Sequence, residues 1–228
     1  MSLGYEDIRD LFLETIQNDV RAQELLALIN SGAGTYETAS AYAVRIGDCL
    51  AQVLRANAPL TSIADWNVED LIPRSLGLDH EIIVEACQIV QEDLYLDAGL
   101  SFRYKPPKFD RDRCWGLVNE LEENPEFVNI EKSFYDQLVN FSQNVVDDSI
   151  RTNADILQKA GVESIVIRRP DFRACEWCRE VAGTFDYDEV SYTGADVWRR
   201  HENCRCTIDW VTRRNGRYRE ERVNNQKK

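Results

Sequence analysis

The chain has 228 residues, 43% of them hydrophobic, and a formal net charge of −13 at pH 7. No apolar run approaches the length that a bilayer-spanning helix needs, so a soluble protein is expected, and an acidic body opposes sequence-independent binding of a polyanion by the whole molecule. The charge is uneven: residues 1–100 carry 17 Asp/Glu against 5 Lys/Arg, whereas residues 213–228 carry 7 Lys/Arg against 2 Glu. Only this tail is placed to meet phosphate, and a solvated, mobile terminus is the plainer reading of it.

From the N-terminus, Ile8, Leu11, Phe12 and Ile16 recur at helical spacing, and the stripe continues toward Leu25, Leu26 and Ile29 until Ser31-Gly32-Ala33-Gly34 stops it. A second stripe comprises Tyr42, Ile46, Cys49, Leu50, Val53 and Leu54, with Pro59 beyond its end. Asp79 reads as the N-cap of a third helix carrying Ile82, Ile83, Ala86, Cys87, Ile89, Val90 and Leu94. Three one-sided apolar faces must cover one another, which predicts a helical bundle domain over residues 1–105. His80 directly follows the proposed cap and is expected to face solvent. Cys49 and Cys87 read as small buried hydrophobes, since neither segment offers a histidine to activate a thiol. Cys114, beside Trp115, reads the same way.

Tyr104-Lys105-Pro106-Pro107-Lys108 is the expected linker, because paired prolines hold the chain extended. Residues 106–161 then form connecting helices: a short one over Asp110–Glu123, a fresh start at Pro125, and the longest helix of the chain. That helix carries Phe134, Leu138, Phe141, Val145 and Ile156 and stops at Gly161. Residues 162–212 change character. Ile165-Val166-Ile167 and Thr207–Val211, the latter with Ile208 and Trp210, read as two strands of a small β subdomain. Residues 213–228 are the flexible basic tail. The expected fold class is mainly α: a helical N-terminal bundle and a long helix with a small C-terminal β zinc-knuckle (α+β) subdomain.

The two strands flank CEWC, 22 further residues, and HENCRC, which place Cys175, Cys178, His201, Cys204 and Cys206 within 32 residues. A Cys-x-x-Cys turn supplies two thiolates from one bend, and a second close pair completes the tetrahedron of soft ligands that Zn2+ prefers. With all positions filled by protein the zinc is structural. Five residues compete for four positions. A deaminase needs His-x-Glu ahead of its cysteine pair, whereas here His201 follows the pair and Glu202 adjoins it. A zincin needs two histidines four apart, and His80 and His201 are the whole supply. A unit this small buries little apolar area, which is why metal binding commonly closes such folds.

The ordered series Val145-Val146-Asp147-Asp148-Ser149-Ile150-Arg151-Thr152-Asn153-Ala154, Lys159-Ala160-Gly161-Val162, Ile165–Arg169, CEWC, Ala182–Tyr187, Asp196–Arg200 and HENCRCT resembles the C-terminal half of phage minor head proteins. These are the Mu-F-like head-morphogenesis family, in the form found in phages and prophages of Gram-positive bacteria. The resemblance spans about residues 125–213. It implies a virion component and not an enzyme: a structural protein that binds the portal, capsid and scaffold proteins at the head vertex and contributes to head assembly and DNA packaging or delivery. It also implies residence inside the head after a stage in the host cytoplasm, with no membrane and no small-molecule substrate. Packaged DNA is a further partner through the basic tail. Only the CEWC and HENCRC positions carry over as a site.

The alternative is a zinc-knuckle nucleic-acid-binding or nuclease-like protein in which Arg168, Arg169, Arg199, Arg200 and Arg205 contact phosphate. Trp198 reads equally as an interface anchor or as packing over the knuckle.

Overall fold

The computed structural model describes residues 4–57, 66–124, 126–201 and 204–213. Pro59, Pro125, Glu202 and the tail beyond Arg213 lie outside the described residues. The architecture is mainly helical with a small C-terminal antiparallel sheet, as the spacing predicts. Among the described residues no helix is long and apolar enough to cross a membrane.

The first apolar stripe makes two helices, α1 (Tyr5–Asn18) and α2 (Val20–Leu28). Asp19 breaks them: its backbone is extended, and its carboxylate accepts the Ala22 N–H at 2.7 Å, capping α2. That carboxylate also pairs with Arg45 of α3 (Tyr36–Asn57). The stripe of α3 is buried as expected, from Tyr42 to Leu54.

Helix α4 runs Val68–Asp97, so Asp79 is not a cap but a mid-helix residue. Pro73 lies inside α4, in its second turn, and disguises the helix start in the sequence. Asp79 is fully buried, and its Oδ1 accepts the Ser142 hydroxyl at 2.9 Å. Burial pushes its carboxyl up to about 8, only partly opposed by the Ser142 hydrogen bond. His80 does not face solvent either: its ring is half-buried, edge-on to Phe109 at 5.6 Å, and burial lowers its pKa.

The run after α4 is extended, as the prolines require, but it is a strap and not a free linker. The Tyr104 hydroxyl lies 2.6 Å from Ser149 Oγ, and the Asn153 carboxamide makes paired hydrogen bonds with the N–H and C=O of Lys105, each at 2.9 Å. Asp110 then caps α5 (Arg111–Glu123), accepting the Arg113 N–H at 3.0 Å.

Helix α6 (Glu131–Lys159) has 29 residues and α4 has 30, so α4 takes the place expected for α6 as the longest described helix. Helix α6 ends at Gly161, whose φ of 73° is the left-handed conformation that terminates a helix without a Cβ penalty. It packs tightly against α3 at Gly47, where an added Cβ would sit 2.6 Å from Ser142 Oγ and 2.8 Å from Val139 Cα.

Three strands follow, where the β-branched runs predict two: β1 (Ser164–Arg169), β2 (Gly183–Asp186) and β3 (Thr207–Thr212), in the order β2-β1-β3 and all antiparallel. Two short helices, α7 (Glu176–Glu180) and α8 (Tyr187–Val190), flank β2. Val166 pairs with Trp210 on one side and Phe185 on the other. Ser40 of α3 donates to the Ile208 carbonyl at 3.0 Å, and Tyr36 meets Trp210 edge-on at 6.1 Å, so the sheet closes against the helices. Ile8, Leu50, Ile83, Phe141, Val166 and Trp210 belong to one buried cluster. The positions 105/106 and 161/162 therefore cross a continuous core.

Candidate metal centre

Strand β1 leads into a turn at which Cys175 caps α7, its sulfur accepting the Cys178 N–H at 3.5 Å. This sulfur-capped turn brings both thiols of CEWC to one side. The described parts of the second arm, Asp196 to His201 and Cys204 to Cys206, lie along α6. Asn140 donates to the His201 carbonyl at 2.9 Å, and Gln143 donates to the Cys206 carbonyl at 3.2 Å. Asp147 receives two hydrogen bonds from Arg200, at 2.7 and 2.8 Å. Positions 140, 143 and 147 share one helical face, so a single polar stripe of α6 fixes the whole arm.

All five predicted ligands converge. Cys175, Cys178 and His201 form one group, and Cys178, Cys204 and Cys206 a second, with the ligand atoms inside each group all within 4.8 Å of one another. His201 Nε2 lies 3.3 Å from Cys175 Sγ and 2.9 Å from Cys178 Sγ, and the sulfurs of Cys178 and Cys204 are 3.9 Å apart. A tetrahedral ion with metal–sulfur bonds of about 2.3 Å has ligand–ligand edges of about 3.8 Å. Cys178 belongs to both groups and is the pivot of the cluster. The arrangement can hold a metal ion.

The cluster is enclosed on one side and open on the other. Cys178, Cys204 and Cys206 are each 1% exposed, Cys175 is the exposed member, and Trp177 stands edge-on to the His201 ring at 5.7 Å. Beneath them Arg168 is 1% exposed. Its Nη1 donates to the carbonyls of Val197 and Arg199, both at 2.7 Å, and its Nη2 points at the sulfurs of Cys204 and Cys178, at 3.6 and 3.8 Å. Trp177 covers the guanidinium, with the ring centroid 5.4 Å away. Arg200 is equally buried but is neutralised by Asp147. Arg168 has no such ion pair among the described residues, and a buried charge is tolerated only where it is compensated.

The sulfurs provide that compensation. A hydrogen bond from Cys206, followed by Arg200 and Arg168, pulls the Cys204 thiol far below its ordinary value against the effect of burial. Cys206, which supplies the proton of that bond, is pushed up, and burial raises Cys178. The other cysteines differ: burial raises Cys49 and Cys114 to about 11 and Cys87 to about 12, and among the described residues no metal-capable group is assembled around them.

The spacing of cysteines misses Arg168, Arg200, Asp147, Asn140 and Gln143. One signal exists for Arg168: on β1 it shares a face with Ser164 and Val166, both buried, so it interrupts an inward-facing row. The five arginines considered for phosphate contact are mostly engaged elsewhere. Arg168 and Arg200 are buried, Arg169 pairs with Glu37, and Arg205 lies near Asp48 and Asp136, which leaves Arg199 as the well-exposed member. Trp198 is 8% exposed, and its indole N–H donates to the Val190 carbonyl at 2.7 Å, so it packs against α8 and not over the cysteines.

Compared with known family models, curated proteins and solved structures, the chain matches none.

Proposed function

We propose that this protein is a structural minor head protein of a tailed phage or prophage, bound with the portal and capsid proteins at the head vertex and stiffened by one structural zinc ion. The ordered segments from Val145 to Thr207 carry this reading, since together they resemble the Mu-F-like head-morphogenesis family more specifically than four cysteines could. In support, the ligand cluster is flanked by Trp177, Arg168 and the α6 stripe, with Cys175 at its exposed edge, a setting suited to holding a fold together. On this reading the protein is not an enzyme and resides inside the head, near the vertex, after a stage in the host cytoplasm.

The ligand set follows from charge. Three thiolates and one imidazole around a dication leave one net negative charge, the count that Arg168 offsets; four thiolates leave two. We therefore assign Cys178, Cys204 and His201, with either Cys175 or Cys206, to the ion. When bound, zinc supplies cross-linking between the CEWC turn and the HENCRC arm. Arg168 balances the thiolates, and Asn140, Gln143 and Asp147 orient the arm.

Co-sedimentation of the purified chain with portal rings tests the reading, alongside mass spectrometry of purified virions. Binding to rings and recovery from virions are expected. No association with rings, together with metal-dependent nicking of plasmid DNA, would overturn it in favour of a nuclease-like protein.

A further inference from the structure

A cleft of about 400 Å³ opens between α5, α6 and the Gly194–Arg200 segment. Its wall includes Arg113, Asn140, Asn144, Arg151, Arg199 and Arg200, and among the described residues it contains no carboxylate. In a chain of net charge −13 such a lining is an exception that composition does not predict. Arg200 is committed to Asp147, but the other three guanidiniums are only loosely held. Arg113 and Arg151 lie 3.7 Å from Asp110 and Asp148, beyond hydrogen-bond distance. Arg199 pairs with Asp196 at 3.1 Å with both side chains well exposed. Exposed ion pairs of this kind are weak and readily exchanged. An anion that takes charge-assisted, bidentate hydrogen bonds from the same arginines outcompetes them. Asn140 adds an acceptor: its Oδ1 is buried without a hydrogen-bond partner among the described residues.

We propose that this cleft is a phosphate-binding site of nucleotide size, with Arg113, Arg151 and Arg199 gripping the phosphate and Asn140 accepting a hydrogen bond from a hydroxyl or amino group of the ligand. The volume lies in the range of small-ligand sites. A free nucleotide and the phosphodiester of a nucleic-acid strand share this chemistry. The proposal does not rest on the virion reading.

Isothermal titration of the full chain with inorganic phosphate, a nucleoside monophosphate and a short single-stranded oligonucleotide, each at roughly 50 and 200 mM salt, tests the proposal. Saturable binding is expected for at least the nucleoside monophosphate or the oligonucleotide, and whichever binds tighter identifies the source. The double variant R151Q/R199Q, and separately R113Q, should raise Kd by tenfold or more, with unchanged circular dichroism. The remote, exposed Arg21→Gln should leave Kd unchanged. Absence of saturable binding for all three probes overturns the proposal, as does binding that survives the cleft variants or weakens equally in Arg21→Gln.

Discussion

Arg168 directs its Nη2 at the sulfur of Cys204, 3.6 Å away, from a position that is 1% exposed. The guanidinium favours the charged form of the Cys204 sulfur, and the contact ties β1 to the ligand arm. Arg168→Met, similar in length but neutral, should lower zinc affinity by roughly 10–100-fold, as loss of an outer partner of a ligand does. Arg168→Lys should fall in between, keeping the charge but losing the fork that reaches both carbonyls and sulfurs. Competition with a chromophoric chelator measures both; equal affinities for all three proteins would remove Arg168 from the account.

Protein purified without added metal, in reducing buffer, should contain about one zinc per chain by elemental analysis. Cys178→Ser should abolish this, because Cys178 sits in both ligand groups. Of Cys175→Ser and Cys206→Ser, one should retain near-full stoichiometry, which identifies the spare residue. Hydrogen exchange in Cys178→Ser should accelerate across residues 165–213 and leave α1–α4 protected. A folded wild-type chain with no zinc would refute the metal assignment.

Asp79 makes stability depend on pH in a defined direction. Its carboxyl titrates near 8 in the fold and near 4 when unfolded, so between those values the folded state holds a proton that the unfolded state has released. Stability contributed here is fully present below about pH 4 and declines as pH rises toward 8, at up to about 1.4 kcal/mol per pH unit. Asp79→Asn keeps the shape and removes the titration. The difference in urea midpoint between wild type and variant, followed from pH 5 to 8, should shift steadily in the variant's favour; a constant difference would show that Asp79 is not protonated in the fold.

Gly47→Ala should destabilise. Alanine in a helix is favoured over glycine by about 1 kcal/mol, but the new methyl would lie 2.8 Å from Val139 Cα, a backbone atom that cannot swing aside. Overpacking costs about 1–3 kcal/mol and therefore dominates. A lower melting temperature with an unchanged denaturant m-value is the expected result.

The helices and the ligand cluster could be read from the chain because their signals are local: apolar periodicity for α3 and α6, and close pairs of soft ligands for the cysteines. The misreadings have a common physical origin. Asp79 and Asp19 both carry a helix-capping side chain, and only tertiary burial distinguishes the one that caps from the one that is enclosed in mid-helix. Strand β2 is four residues long with one large apolar side chain, Phe185, too little for an alternating pattern to emerge. Arg168 and the α6 stripe act on sulfurs and carbonyls distant along the chain, and no spacing rule encodes such contacts.

Helix α6 grips His201 and Cys206 by main-chain oxygens, through Asn140 and Gln143, and leaves their side chains to the ion. These two anchors hold the arm only at His201 and Cys206. Emptying the cluster should therefore loosen the CEWC turn and the sheet end of the molecule, while the helices beneath stay folded and offer a fixed seat for the returning chain.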